Sequence, residues 1–519
     1  ADPHGAPTVI LAKTIKGWTL GPDVEGRNAT HQIKKMTVDQ LRQLRERLYL
    51  TDVIPSDALA DDKEPPYIRF EPGSTEHEYL MGRRKALDGS MPARVVRVKR
   101  RLELPGDGPF EEVLAGSGRQ AVSTTMAFTR LLRNLCRDPQ VGPRVVPIIP
   151  DEARTFGMDA LFKEFKIYAA QGQHYEPVDA QLLLSYSEAQ NGQVLEEGIT
   201  EAGSMSSFIA AATSYAHRGV PMLPFFTFYS MFGFQRVGDL IWSASDSRAR
   251  GFLLGATAGR TTLLGEGLQH QDGHSHILAS TVPSVQAWDP AFAYEMATII
   301  RHGIREMLVD ERDVIYYLTL YNENYEMPPA PEGSEEGIIA GLYRWAEAPD
   351  GPGHRAAILF SGTAQAAARA AQAELAERWD VGAELFSATS YKRLREDALS
   401  TERWNRLHPT EPPRTPLVSS LLGSEGGPVV AVTDFMKAVP DQVARWVRQP
   451  FIPLGTDGFG RSDTRERLRQ FFEVDMRQVV VATLWGLAQQ GEVKPETVAE
   501  AIAHYEIDPD RTDPRAFDL

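Results

Sequence analysis

Three short apolar runs, separated by longer helical stretches, constrain the fold of this chain most strongly. They are residues 222–228, 251–256 and 314–320, with the sequences MLPFFTF, GFLLGA and VIYYLTL. Strands that are apolar on both faces are typical of parallel sheets covered by helices. Helical stretches such as 204–218 lie between these runs. The sequence therefore predicts an α/β fold with parallel or mostly parallel sheets flanked by helices.

The distribution of turn residues and charges predicts the domain organisation. The stretch 54–108 is charged and rich in Pro and Gly, which indicates an extended connection with short helices such as 74–87. An α/β domain follows, and a strand at 355–363 belongs to a further one. For 519 residues we expect about three domains, and we place the boundaries at 1–36, 37–115, 116–330 and 331–519.

The first residues are unusual for the start of a domain. The chain begins without Met, and residues 7–15 (PTVILAKTI) resemble a buried strand. Such a strand needs a sheet to join. We therefore expect the chain to begin inside a domain whose larger part is missing; the alternative is a strand that pairs with the next domain.

Charge and cysteine content exclude several classes of protein. The net charge of −15 argues against a nucleic-acid-binding surface and against binding to an anionic membrane. No run approaches 18 uninterrupted apolar residues, so we expect no membrane span. The single cysteine, Cys136, rules out an internal disulfide. It fits a reducing compartment, so we expect a cytoplasmic protein.

A carboxylate at position 201 is the first candidate for chemistry. The segment EEGITEAG (196–203) precedes an apolar helical run at 204–217 that is too apolar to lie on the surface. We expect the first turn of this helix to direct Glu201 toward an interior cleft, where a carboxylate must be paired or protonated. The alternative is a solvated helix N-terminus, where an acidic residue suits the helix dipole.

The segment GEGLQHQDGHSH (265–276) holds three histidines within seven residues. Its spacing is not that of a usual zinc site, and its glycines predict a loop, so we assign no metal ligand here. Neutral imidazoles in a cleft suit proton transfer or oxyanion contact. His274 and His276 could instead satisfy backbone groups in a tight turn.

Dense aromatic residues lie between these two segments, in FFTFYSMFGFQR (225–236). Aromatic clusters of this kind usually belong to the core. However, Tyr229 to Gly233 follow a buried strand, where α/β sheets open their ligand crevice. A planar heteroaromatic ligand stacked on one of these rings is a reasonable hypothesis. The sequence contains no Walker-type phosphate loop, dinucleotide fingerprint or serine-nucleophile elbow.

Six segments together resemble one family over essentially the whole chain and in matching order. They are DEARTFGM, EEGITEAG, YSMFGFQR, GRTTLLGEGLQHQDGHSH, LYNENYEMP and LGTDGFGRSD. They resemble the homodimeric bacterial pyruvate dehydrogenase E1 component, a thiamine diphosphate enzyme of the transketolase-like superfamily. The resemblance implies the tail of the diphosphate-binding domain with an active-site loop, then the inter-domain connection, a pyrimidine-binding domain and a transketolase C-terminal-like domain.

The resemblance implies roles for four residues around the cofactor. Glu201 matches the glutamate that hydrogen-bonds N1′ of the aminopyrimidine and thereby favours its imino tautomer. Phe232 matches the ring that stacks on the aminopyrimidine, and Ile199 matches the apolar residue that keeps the cofactor bent. Glu152 matches an acidic residue near the pyrimidine pocket.

It also implies four residues that act on substrate. His270 and Tyr229 match groups that contact substrate and the intermediate. Lys16 and His31 match residues from the far side of the cleft. His31 lies on a loop that orders over the intermediate and aids acetyl transfer to lipoamide.

By this resemblance the chain decarboxylates pyruvate and acetylates a lipoyl group on the lipoyl domain of a dihydrolipoamide acetyltransferase partner. A homodimer is also implied. The alternatives are transketolase-like ketol transfer and a non-catalytic dimerisation fragment.

One departure from the family concerns Mg²⁺ and the diphosphate. The family holds them with a Gly-Asp-Gly motif followed by Asn, in its N-terminal domain. The only similar run, residues 106–108, follows no predicted strand and is interpreted as a turn. We therefore expect the Mg²⁺ and diphosphate ligands to lie in a missing N-terminal domain, and the chain to be inactive alone.

Overall fold

The computed structural model describes residues 9–60, 63–64, 66–87, 89, 98–150, 153–178, 186–264, 267–423 and 426–516. The chain divides into two units, residues 1–93 and 94–519. This division falls inside the predicted connection, whereas the predicted domain boundaries themselves stay predictions. None of the helices in these ranges is long and apolar enough to cross a membrane.

The first unit contains two α-helices, α1 (Val38–Arg47) and α2 (Thr75–Ala86), and short 3₁₀ turns. The Thr37 hydroxyl accepts from the Gln40 amide and the Gln40 side chain accepts from the Thr37 amide, which forms a capping box. The prediction of a strand at 7–15 is wrong for residues 9–15, while residues 7 and 8 lie outside the described residues. Residues 9–15 have no regular structure, and Leu11 is 92% exposed. A strand needs a hydrogen-bonding partner, and the described part of this unit contains no other strand.

The second unit begins with a parallel sheet whose six described strands have the order β5-β2-β6-β7-β9-β8. Two further strand pairs are short, β1 with β10 and β3 with β4. The strands are β1 (Ala121–Val122), β2 (Val145–Ile149), β3 (Ile167–Tyr168), β4 (Glu188–Ala189), β5 (Leu195–Glu196), β6 (Leu223–Tyr229), β7 (Gly251–Ala256), β8 (Val285–Trp288), β9 (Ile315–Thr319) and β10 (Tyr325–Glu326). The helices are α3 (Gly108–Leu114), α4 (Thr124–Arg137), α5 (Asp159–Phe165), α6 (Glu201–Ala212), α7 (Ser214–His217), α8 (Phe234–Asp246), α9 (Ser275–Ser280) and α10 (Ala293–Leu308).

The three apolar runs are β6, β7 and β9, and they lie next to one another in the middle of this sheet. The prediction of a parallel, doubly covered sheet is confirmed, since all residues of β7 and β9 are buried. The helix predicted at 204–218 begins three residues earlier in the structure than its predicted start. The structure starts α6 at Glu201, because Thr200 is its N-cap and accepts from the Gly203 amide at 3.1 Å. The interpretation of residues 106–108 as a turn is corrected by the structure, because Asp107 is the N-cap of α3 and Gly108 is its first residue.

A second sheet follows, with described strands in the order β11-β13-β12-β14-β15 and only the β11 edge antiparallel. Its strands are β11 (Tyr343–Ala346), β12 (His354–Phe360), β13 (Val381–Ser387), β14 (Val429–Val432) and β15 (Phe451–Leu454). The helices are α11 (Glu335–Ala340), α12 (Gln365–Arg378), α13 (Tyr391–Leu407), α14 (Leu417–Leu422), α15 (Arg465–Phe471), α16 (Met476–Gln490) and α17 (Pro495–His504).

Buried polar groups join the parts of the chain that carry the two sheets. Asp434 lies just after β14 and is 2% exposed. Both of its carboxylate oxygens accept from the amide of Thr261, at 3.0 and 3.2 Å. Burial outweighs the attraction of Arg469 and raises the pKa of Asp434 from 3.8 to about 7.

This raised pKa predicts a pH-dependent stability. The folded chain keeps the Asp434 proton up to about pH 7, whereas the unfolded chain releases it near 3.8. The free energy of unfolding should therefore fall as pH rises through this window and level off above it. Asp434→Asn removes this term, so the difference between variant and parent should shift in the variant's favour by about 3 kcal/mol from pH 5 to pH 8.

Urea unfolding followed by circular dichroism at each pH measures this shift. Asp510→Asn, at an exposed position, is the matched control. A constant difference between Asp434→Asn and the parent across the range would contradict the prediction.

Candidate active site

Four candidate residues of the second unit lie at the carboxyl edge of the first sheet. Tyr229 is the last residue of β6 and pairs with Ala256, the last residue of β7. On the other side, β2 pairs with β5, and the amides of Glu197 and Gly198 continue this pairing to the carbonyls of Ile149 and Pro150. Since these strands are parallel, the segments after them converge on one edge.

Glu201 opens α6 directly after this edge. Its side chain is only 13% exposed, and its Oε1 accepts from Nη1 of Arg236 at 2.9 Å. Thr200 caps the helix without help from Glu201. The carboxylate of Glu201 is therefore free of a capping role and faces the first residues of α8.

A flat cation connects Glu201 to the aromatic ring of Phe232. The guanidinium carbon of Arg236 lies 3.7 Å from the centroid of the Phe232 ring, in a cation–π contact. Gly233 makes this turn possible, because a Cβ there would come within 2.1 Å of the Phe228 ring. One planar, nitrogen-bearing group thus lies on an aromatic face while it donates an N–H to a carboxylate.

The arrangement of Glu201 and Phe232 fits the aminopyrimidine of thiamine diphosphate. Such a ring needs an aromatic face on which to stack and a carboxyl group at its edge. The guanidinium of Arg236 satisfies both contacts at once. A heteroaromatic ring that took these contacts would have to displace it.

His270 completes an aromatic cluster with Tyr229 and Phe232. Its ring centroid lies 4.7 Å from that of Tyr229 and 5.1 Å from that of Phe232, and all three side chains are half-buried. The imidazole ends a short 3₁₀ helix, Leu268–His270. The structure therefore brings together four of the eight predicted site residues: Glu201, Phe232, Tyr229 and His270.

His276, in the same segment, has different surroundings. His276 is buried, its Nε2 lies 3.1 Å from the hydroxyl of Thr319, and burial lowers its pKa. A backbone partner was the alternative for His276, and the observed partner is instead a side-chain hydroxyl. Within the described ranges, no group of three or more His, Cys, Asp or Glu side chains is arranged to hold a metal ion.

The remaining four predicted residues are Ile199, Glu152, Lys16 and His31. Ile199 lies in the turn before α6 and is 80% exposed. Glu152 lies outside the described residues. Lys16 and His31 belong to the first unit and contact each other there, with Nζ of Lys16 2.7 Å from Nδ1 of His31.

Two family models match parts of the second unit. The family model of the pyruvate dehydrogenase E1 component middle domain matches residues 102–328. That of the transketolase-like TK C-terminal domain matches residues 341–475. The pyruvate dehydrogenase E1 component of Pseudomonas aeruginosa is 50% identical over 511 residues, which cover 98% of this chain and 57% of the relative. That of Mycolicibacterium smegmatis is 51% identical over 508 residues, 97% of this chain and 54% of the relative.

The chain belongs to the pyruvate dehydrogenase E1 component family. It spans about half the length of the curated relatives that it matches. Among solved structures, a transketolase from Campylobacter jejuni is similar with a TM-score of 0.60 at 14% identity, over 92% of this chain and 62% of that one. A transketolase from Leishmania mexicana gives 0.56 at 16% identity, over 88% and 55%. These likenesses confirm the predicted transketolase-like fold.

Sequence reasoning about this E1 family member missed Arg236. It lies four residues after Phe232, but Phe232 ends a 3₁₀ helix and the non-helical Gly233 separates it from α8. A helical spacing argument therefore does not apply to this pair. Gln271 and Asp272 were also missed, and no sequence pattern distinguishes these buried polar residues from the exposed Gln269 beside them.

Proposed function

We propose that this chain acts within a pyruvate dehydrogenase E1 component. In that role it decarboxylates pyruvate with thiamine diphosphate and reductively acetylates the lipoyl group of a dihydrolipoamide acetyltransferase. The observation that carries the proposal is the guanidinium of Arg236, which lies on Phe232 and hydrogen-bonds Glu201. It marks a place where a flat nitrogen-bearing ring fits. The name of the relatives that match 97–98% of this chain supplies the reaction.

Each residue around this place has a defined task in the proposal. When bound, thiamine diphosphate supplies a nucleophilic carbon and an electron sink for decarboxylation. The carboxyl group of Glu201 shares a proton with a ring nitrogen at the edge of the Phe232 face. The ring of Phe232 stacks on the heterocycle. By the family resemblance, Ile199 keeps the heterocycle bent, and Glu152 is assigned the task of the acidic residue near the pyrimidine pocket.

Four residues have tasks that concern substrate and the acetyl group. The imidazole of His270 and the hydroxyl of Tyr229 can donate hydrogen bonds to the carboxylate or ketone oxygen of pyruvate. Lys16 and His31 act at the acetyl-transfer step.

One part of the proposal concerns the Mg²⁺ and diphosphate ligands. The sequence of this chain lacks the Gly-Asp-Gly…Asn motif with which the family holds Mg²⁺ and the diphosphate. A polypeptide that carries this motif must supply those ligands.

We also propose a cytoplasmic location, since the single cysteine, Cys136, is buried and burial raises its pKa to about 12, which leaves no thiol for a disulfide.

A homodimer is the proposed assembly. One face of α6 presents the small side chains of Ala202, Ser206 and Ala210 at a spacing of four residues, and all three are exposed. Ile199 is exposed next to them. A helix of this apolar composition favours a packed neighbour, and the same helix of a second copy would bury this face beside Glu201.

Reconstitution tests the proposed function. The chain is mixed with a polypeptide that carries the missing motif, with Mg²⁺ and thiamine diphosphate. CO₂ release from pyruvate is then measured beside ketol transfer between sugar phosphates. We expect CO₂ release that depends on the added polypeptide. Ketol transfer instead would favour the transketolase reading, and neither activity would leave a non-catalytic dimerisation fragment.

A further inference from the structure

Two consecutive buried polar residues, Gln271 and Asp272, follow His270. Gln271 is 2% exposed and Asp272 is fully buried. Burying an amide and a carboxylate side by side is unfavourable unless each is fully hydrogen-bonded. The partners of these two side chains therefore show what the segment is fixed to.

Asp272 fixes the segment to the first sheet. Its carboxylate accepts from the hydroxyl of Ser230, which directly follows Tyr229. It also accepts from the amides of His274 and Ser275, both at 3.0 Å. This anchor ties the segment to the aromatic turn.

Gln271 fixes the same segment to the loop 455–463, which follows β15 of the second sheet. Its Oε1 accepts from the amide of Arg461 at 2.7 Å, and its Nε2 donates to the carbonyl of Arg461 at 2.6 Å. Nε2 also lies within 3.3 Å of the carbonyl of Leu263. One side chain thus pairs with both backbone groups of a single residue, as a neighbouring strand would.

The close approach of the two loops depends on a glycine. A Cβ at Gly460 would lie 2.7 Å from the carbonyl of Leu268 and 2.8 Å from Oε1 of Gln271. Leu268 opens the 3₁₀ helix that ends at His270. The loop 455–463 therefore lies directly against the turn that carries the imidazole.

We infer that Gln271 is a positioning residue, which holds His270 against Tyr229 and Phe232 by pairing with the backbone of Arg461. The 3₁₀ helix Leu268–His270 is a single turn, held by weak local hydrogen bonds. Asp272 holds the segment after this turn to the first sheet, and Gln271 holds it to the loop 455–463. The loop 455–463 thereby contributes to the site without touching substrate. This inference rests on the proposed function for its kinetic test alone.

Gln271→Glu and Gln271→Met test it, with Gln269→Glu as the matched control at an exposed position two residues earlier. Glutamate places an oxygen against two carbonyl oxygens, while methionine removes the pairing without adding charge. In the reconstituted enzyme both variants should lower CO₂ release by about 10²-fold, and Gln269→Glu should leave it within twofold. In a His270→Ala background, the Gln271 variants should cost less than twofold, since they act through the imidazole.

A purely structural role would reduce CO₂ release equally with and without His270, and that outcome would overturn the inference. A second measurement needs no activity. In the chain itself, hydrogen exchange of the peptide 267–273 should accelerate at least tenfold in Gln271→Met and not in Gln269→Glu. Unchanged exchange would also overturn it. If the unmodified chain reconstitutes no CO₂ release, the proposed function fails, and the exchange measurement still decides the position of the turn.

Discussion

Replacing Glu201 with alanine should lower the rate of CO₂ release from pyruvate in the reconstituted enzyme by about 10²- to 10⁴-fold. The reason is the loss of the carboxyl group at the edge of the Phe232 face, where Arg236 now donates its N–H. The fold should persist, because Thr200 caps α6 independently of residue 201. Circular dichroism and CO₂ release measure the two effects separately.

Matched variants sharpen this test. Glu336→Ala changes an exposed acid in the first turn of α11 and should leave activity unchanged. Glu201→Gln keeps the size and hydrogen-bonding capacity of the side chain but cannot ionise. If it retained full activity, proton sharing would not be the role of this residue, and full activity in Glu201→Ala would refute the assignment altogether.

Replacing His31 with alanine should separate the two halves of the reaction. Nζ of Lys16 can only donate, so Nδ1 of His31 accepts in their 2.7 Å contact and the ring proton lies on Nε2. In this tautomer the Nε2–H can protonate the sulfur released when a lipoyl disulfide opens, while the ammonium of Lys16 gives a proton to Nδ1, so the ring stays neutral. We expect CO₂ release within about twofold of the parent and acetyl transfer slowed about 10²-fold.

The measurement compares CO₂ release in the presence of an artificial electron acceptor with acetylation of a lipoyl domain, followed by mass spectrometry. His77→Ala changes another histidine of the first unit and should affect neither step. An equal loss in both steps for His31→Ala would mean that this residue serves decarboxylation or folding instead of transfer.

Elements whose signal is local were predictable from the sequence. The runs that became β7 and β9 are apolar throughout because both of their faces are covered, and this pattern is visible without coordinates. The capping box of Thr37 and Gln40 is likewise a short-range signal. The apolar stretch at 7–15 failed as a strand prediction because a strand depends on a partner elsewhere.

The sequence by itself determined the fold class, Glu201 as a candidate, and the aromatic and histidine segments, whereas the choice of Tyr229, Phe232 and His270 within those segments came from the family resemblance. Only the tertiary structure decided that Arg236 lies between Glu201 and Phe232, and that Gln271 pairs with Arg461, 190 positions away. Such contacts are fixed by the way two sheets pack and by the need of buried polar atoms for partners. Neither condition leaves a pattern along the chain, because each residue satisfies it with a group that is distant in sequence.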